Sequence, residues 1–234
     1  MKKAEESIAK IKLERQFAKV MAMLLDLSSL TSVKSFAKEF QANFATLDIL
    51  ILSESIQIRE LILIFEYHKH LFLFSDAGIF GNDFEITEDG FELTFQVNYL
   101  SHFYLTHLLK KPLNKSNVQK VISVAAESHR FAGLKSPEDF SKDSLVSNVI
   151  NQKQFSSIYA YNDSKLCCLM FALSAHRQFG FKALAVHPGN MVCSYLSRNS
   201  WFCRFLFSAV RPFAKSLQQA AASGIFAAIG KYGF

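Results

Sequence analysis

Leu47-Asp48-Ile49-Leu50-Ile51-Leu52 is a strand-length run, apolar but for its second residue, of the kind that lies buried on both faces of a parallel sheet. Working upstream, Leu30, Val33, Phe36, Ala37 and Phe40 keep helical period behind Asp26-Leu27-Ser28-Ser29, which supplies cap and turn chemistry. Lys19–Leu25 is a second short apolar strand, and residues 1–18 place Ala4, Ile8, Ile11 and Phe17 at near-helical intervals. Downstream, 53–74 is irregular: Leu61–Phe65 and Leu71–Phe74 flank the polar patch Glu66-Tyr67-His68-Lys69-His70, and no element is assigned to it. Beyond Asp89-Gly90 a helix is expected through Leu109, then a strand over Lys120–Ala126. A helix over Ile158–Phe179 stopped by Gly180, a strand over Lys182–His187, a break at Pro188-Gly189 and an Ala-rich helix over Arg211–Ile229 complete the order. Helices alternating with short buried strands predict an α/β domain, a parallel sheet covered on both faces.

The chain's 234 residues suffice for one substantial core, and no Pro/Gly-rich linker or repeat divides it, so a single domain over 1–234 is expected. Hydrophobic residues at 50% against charged residues at 20% exclude general disorder, and 24 Phe point to a heavily apolar interior or pocket. The formal charge of +6 is scattered, without the interleaved basic and aromatic stripe of a nucleic-acid surface, so no nucleic-acid partner is expected. Cys167, Cys168, Cys193 and Cys203 have neither CxxC spacing nor a histidine pair in register, which reads as reduced thiols in a cytoplasmic protein and no metal site. The first residues show no signal pattern, and no apolar window is long enough to span a bilayer. Trp201–Phe207 offers either a peripheral membrane contact or, more simply, loop packing.

The chemistry concentrates in Tyr159-Ala160-Tyr161-Asn162-Asp163-Ser164-Lys165-Leu166. Tyr161 and Lys165 are one helical turn apart on one face. A phenol near pKa 10 exchanges protons poorly at neutral pH, and a neighbouring ammonium stabilises its phenolate. The alternative is a half-buried Tyr beside a solvated Lys, the usual origin of a YxxxK match. Three other segments reinforce the catalytic reading: Val121–His129 and Val186–Met191, both at strand ends, and Thr94-Phe95-Gln96-Val97-Asn98-Tyr99-Leu100. Ligands of open parallel sheets bind beyond the strands' carboxyl ends, where these segments converge.

FQVNYLSHFYL, ESHRF, AYNDSKL, AVHPGNM and RPFAKSLQQAA, in this order, resemble the short-chain dehydrogenase/reductase family over nearly the whole chain outside 53–74. The resemblance implies a Rossmann-like doubly wound sheet and hydride transfer between NAD or NADP and a carbonyl or alcohol substrate. It makes Tyr161 the proton donor or acceptor. Lys165 would hold the nicotinamide ribose and lower the tyrosine pKa, and Asn98 would support a proton-relay water. Asp26 would lie against the adenine, Ala77 and Gly78 would form the family's turn near the cofactor, and Pro188-Gly189 would supply backbone beside the nicotinamide. Asp26 as a helix cap and Pro188-Gly189 as a plain turn are the simpler alternatives.

The chain departs from the family pattern at several points. None of its nine glycines precedes Gly78, so no early Gly-rich turn approaches a diphosphate, and the sheet is expected to lack the family's first strand-helix-strand unit. Residues 53–74 read as an atypical insertion. The serine that the family sets beside the tyrosine falls at Ala126, with Ser128 two residues on. These departures predict impaired activity, and a catalytically inactive scaffold or truncated gene product acting through protein contacts is the alternative. A sheet without its central strand would expose apolar surface to such partners.

Overall fold

The computed structural model describes residues 2–53, 59–67, 69–76, 78–140, 155–189 and 216–230. Ala77, Cys193, Cys203 and the Trp201–Phe207 contact lie outside them. Helix α1 (Lys2–Glu14) leads into β1 (Lys19–Asp26), α2 (Leu30–Asn43) and β2 (Ile49–Ser53). The first helix ends before Phe17, which is 93% exposed rather than part of an apolar face. The unassigned segment forms a hairpin of β3 (Arg59–Tyr67) and β4 (His70–Asp76), closed by the Tyr67↔His70 pair with Lys69 at φ 70°.

A helical stretch follows: α3 (Leu93–Phe95), a π turn (Gln96–Leu100), α4 (Ser101–Leu108) and α5 (Lys110–Asn114). Strand β5 (Lys120–Val124), a 3-10 turn (Glu127–Phe131), α6 (Ser157–Phe179), β6 (Lys182–Val186) and α7 (Leu217–Ile229) complete the described elements. Gly180 ends α6 at φ 72°, a left-handed conformation that glycine adopts without strain. Helix α7 opens with a capping box between Ser216 and Gln219; the part of that helix expected over 211–215 lies outside the described residues.

The strands assemble in the order β1-β3-β4-β2-β5-β6. β4, β2, β5 and β6 are parallel, while β3 runs antiparallel to both β1 and β4. A doubly wound dinucleotide-binding sheet has the order 3-2-1-4-5-6. With β1, β2, β5 and β6 at positions 3, 4, 5 and 6, the hairpin occupies positions 2 and 1, its first strand reversed. The expected α/β sheet is present, but the gap expected at its centre is closed. Leu73 and Ile64 of the hairpin are 0% and 1% exposed, whereas Met21 and Leu24 of β1 are 40% and 65% exposed.

Successive side chains of a strand face opposite ways, and each face of this sheet has its own core. Leu50, Leu52, Leu73 and Val121 pack with Val33, Phe36 and Phe40 of α2 and with Phe171 and Ala175 of α6. Ile49, Ile51, Phe72 and Ile122 meet Ala227 and Ala228 of α7. The hairpin belongs to both cores. Ile64 is 1% exposed, and Phe65 stacks on Phe72 and Phe74 at ring distances of 4.7 and 5.2 Å. Asp48, the interruption in the β2 run, accepts from the Leu71 N–H at 2.7 Å and so ties the start of β4 to β2.

Candidate active site

The helical stretch over 93–108 packs against α2 and α6, and its π turn presents Asn98, 1% exposed. Single π turns within helices recur at functional sites because the extra residue displaces a side chain and a carbonyl from the regular ladder. The Asn98 carboxamide accepts from the Ile79 N–H at 2.8 Å and donates to the Ile79 carbonyl at 3.1 Å. It also donates to Ser164 Oγ at 3.1 Å, and Ser164 Oγ in turn donates to the Tyr161 carbonyl at 2.7 Å. Buried Gly78 immediately precedes Ile79. The structure therefore brings Asn98, the Gly78 turn and the Tyr161–Lys165 face of α6 together.

Lys165 is 1% exposed, with Nζ 5.4 Å from the Tyr161 ring centroid and donating to the Val124 carbonyl at 3.3 Å, at the end of β5. The Tyr161 ring also makes a T-shaped contact with Phe80, with the ring centroids 4.9 Å apart. Burial pushes the Tyr161 phenol up and draws the Lys165 ammonium down to about 8, with charge on Cys168 a lesser influence on both. The phenol thus moves opposite to the lowering expected from a neighbouring ammonium, because desolvation dominates both groups.

Pro188 and Gly189 follow β6, whose Val186 pairs with Val124 and accepts from the Ala125 N–H at 2.9 Å. They lie half-buried beside the β5 end, with Gly189 at φ 107°. Asp26 does not join this cluster. It ends β1, with β3 and β4 between it and β2, and its carboxylate accepts from Ser28 N at 2.9 Å and Ser28 Oγ at 2.6 Å. The N-cap of α2 is Ser29, not Asp26, so the simpler alternative for Asp26 becomes a turn rather than a cap.

Ala126 offers no donor side chain, whereas Ser128 Oγ is buried and has no hydrogen-bond partner among the described residues. The segment carrying both is held by α6: Asp163 accepts from Gly133 N at 2.6 Å and Leu134 N at 3.2 Å, and Asn162 donates to the Phe131 carbonyl at 3.3 Å. The spacing of the YxxxK motif identified the tyrosine and lysine but not these clamps, which depend on a 30-residue separation in the chain. Two buried polar residues next to Asn98 were also missed, Ser75 and His102; the one sequence signal was the four-residue interval from Asn98 to His102 on a helix. No group of three or more potential metal ligands occurs among the described residues.

A nicotinamide dinucleotide fits this arrangement at one end only. Tyr161, Lys165 and the positive-φ Gly189 stand beyond the carboxyl ends of β5 and β6, where such sheets take ligands. The diphosphate end lacks its usual cradle. β4, which fills the first-strand position, is followed by no helix among the described residues before Leu93, so no helix N-terminus meets a phosphate there.

No family model matches the chain. The fold is that of a solved structure of NADPH-dependent 3-quinuclidinone reductase from Rhodotorula rubra, with a TM-score of 0.54 and 16% identity over 89% of this chain and 65% of that one. The chain belongs to the short-chain dehydrogenase/reductase family. It is similar to the WW domain-containing oxidoreductase of Gallus gallus, 38% identical over 231 residues that cover 97% of this chain and 50% of the relative. It is also 29% identical to retinol dehydrogenase 12 of Mus musculus, over 98% of this chain and 63% of that protein. The chain spans about half the length of the WW domain-containing oxidoreductases that it matches. No described helix is long and apolar enough to cross a membrane.

Proposed function

We propose that this chain carries the proton-transfer centre of a short-chain oxidoreductase acting on a small carbonyl or alcohol, with its activity impaired by weak dinucleotide binding. Tyr161 exchanges the proton at the substrate oxygen, Lys165 orders the centre beneath it, and Asn98 supports the solvent path that replenishes the proton. The observation that carries this reading is the Asn98–Ser164 hydrogen bond, which sets the π turn against the Tyr161–Lys165 face at the end of β5. The nicotinamide, when bound, would donate a hydride to a carbonyl in its reduced form (NADH or NADPH) or accept one from an alcohol in its oxidised form (NAD or NADP); Lys165, Gly78, Pro188 and Gly189 are the residues for its nicotinamide half, with Ala77 and Asp26 as further contacts by resemblance. A cytoplasmic setting accords with this reading.

The departure at the diphosphate end favours a second reading, a scaffold without turnover that acts through protein contacts. Titration of the purified chain with NADH and with NADPH, followed by fluorescence, separates the two. Saturable binding at millimolar concentration or better supports the oxidoreductase, and its absence supports the scaffold. Any carbonyl reduction by the chain is lost in Tyr161→Phe; turnover that survives this change refutes the role given to Tyr161.

A further inference from the structure

Ser75 and His102 are 1% and 5% exposed, and they close a circuit of hydrogen bonds through the site. His102 Nε2 lies 3.0 Å from Ser75 Oγ, and Nδ1 lies 3.1 Å from the Asn98 carbonyl oxygen. A carbonyl only accepts, so Nδ1 carries the ring proton; Nε2 is then the acceptor, and the Ser75 hydroxyl donates to it. Burial draws the ring down to about 4, which keeps it neutral and preserves this single tautomer. The carbonyl it grips belongs to the residue whose carboxamide binds Ile79 at both backbone groups and Ser164 on α6. Ile79 stands four residues beyond Ser75, so the covalent chain returns to the start of the circuit. Only 1% of Ser75 is exposed, so no substrate reaches it as a nucleophile, and the pair acts by holding other groups.

We propose that His102, anchored by Ser75 of the inserted hairpin, is a positioning residue that fixes the Asn98 carbonyl and, through Asn98, the Gly78–Ile79 turn against the Tyr161–Lys165 face of α6. The inference rests on reading Asn98, Tyr161 and Lys165 as the reacting centre. It gives the hairpin a task beyond filling the sheet, since β4 supplies one end of the circuit in Ser75 and, just past its own end, the other in Ile79.

The test uses the full chain, Ser75→Ala and His102→Phe, the first keeping the proposal falsifiable if the second fails to fold. Imidazole ¹⁵N spectra of the wild type are expected to show a protonated Nδ1 and a bare Nε2, with Nε2 shifting in Ser75→Ala; the opposite tautomer overturns the proposal. Amide exchange at Ile79 should accelerate about tenfold in Ser75→Ala while Val121 in β5 keeps its rate. An unchanged Ile79, or equal acceleration at Val121, overturns a role specific to the site. Where the wild type reduces a carbonyl, both variants are expected to lower kcat at constant KM, and unaltered kcat counts against the proposal. Absence of wild-type turnover sinks the functional reading alone, because the spectra and the exchange rates still decide this one.

Discussion

Asn98→Asp exchanges one NH₂ for an oxygen at nearly constant size, and so isolates what the donor at the centre of the site contributes. In the native chain the side chain is 1% exposed, with its Nδ2 3.1 Å from both the Ile79 carbonyl and Ser164 Oγ. The Ser164 proton is already given to the Tyr161 carbonyl at 2.7 Å, so Ser164 can only accept from residue 98. A carboxylate there faces two acceptors and leaves both unpaired in the core, at about 1–3 kcal/mol each. A neutral acid has one O–H and restores one of the two bonds, so its deficit is roughly half as large. The buried acid therefore titrates above the ordinary aspartate value of about 3.9. Because the folded pKa is raised, the stability supplied by the proton is fully present below about pH 4 and is lost as pH rises through the folded value. Urea unfolding of wild type and variant is expected to show a deficit of about 1–3 kcal/mol near pH 4. By pH 8 that deficit should have grown by at least ~1.4 kcal/mol, the free energy of a tenfold change in proton affinity. A deficit that is the same at both pH values, or within ~0.5 kcal/mol of zero at the higher one, refutes the donor role.

Ile64→Ala tests whether the inserted hairpin belongs to the core: from its 1% exposure, a loss of about 2–5 kcal/mol is expected by chemical denaturation, and a neutral result would detach the hairpin from the fold. Buried Lys120 donates to the carbonyls of Ala228 and Gly230 at 2.8 and 2.7 Å, at the negative end of α7. Lys120→Met leaves those carbonyls unpaired and should lower stability by roughly 2–4 kcal/mol with faster exchange confined to α7; wild-type stability in the variant would contradict this. Glu92 accepts from Thr94 N and Phe95 N, yet burial raises its pKa, so its protonated form supplies stability at low pH that is lost as pH rises through the raised value. Glu92→Gln keeps an acceptor without the charge, and its stability relative to wild type should therefore climb across that same window; a gap that stays constant with pH would count against the cause assigned to Glu92.

Local patterning determined much of this protein, since burial and helical phase are properties that neighbouring residues set together. The apolar runs at 47–52 and 120–124 became inner strands, the amphipathic interval from Leu30 to Phe40 became α2, and Gly180 ended α6 because its φ is one that glycine takes without cost. The Tyr161–Lys165 pair was legible for the same reason: one helical turn fixes a shared face whatever surrounds it.

Only the tertiary structure decided where the irregular segment goes. Runs such as Leu61–Phe65 and Leu71–Phe74 specify apolar faces but not partners, and pairing between distant strands is a property of the whole sheet; here it put an antiparallel hairpin between β1 and β2. The same is true of the Ser75–His102–Asn98 circuit and the Asp163 clamp, whose partners lie 27 and 30 residues apart in the chain. The directions in which Tyr161 and Lys165 are shifted were likewise beyond the sequence, since the helical spacing leads one to expect a neighbouring ammonium to lower the phenol, and only the packing shows that burial raises it.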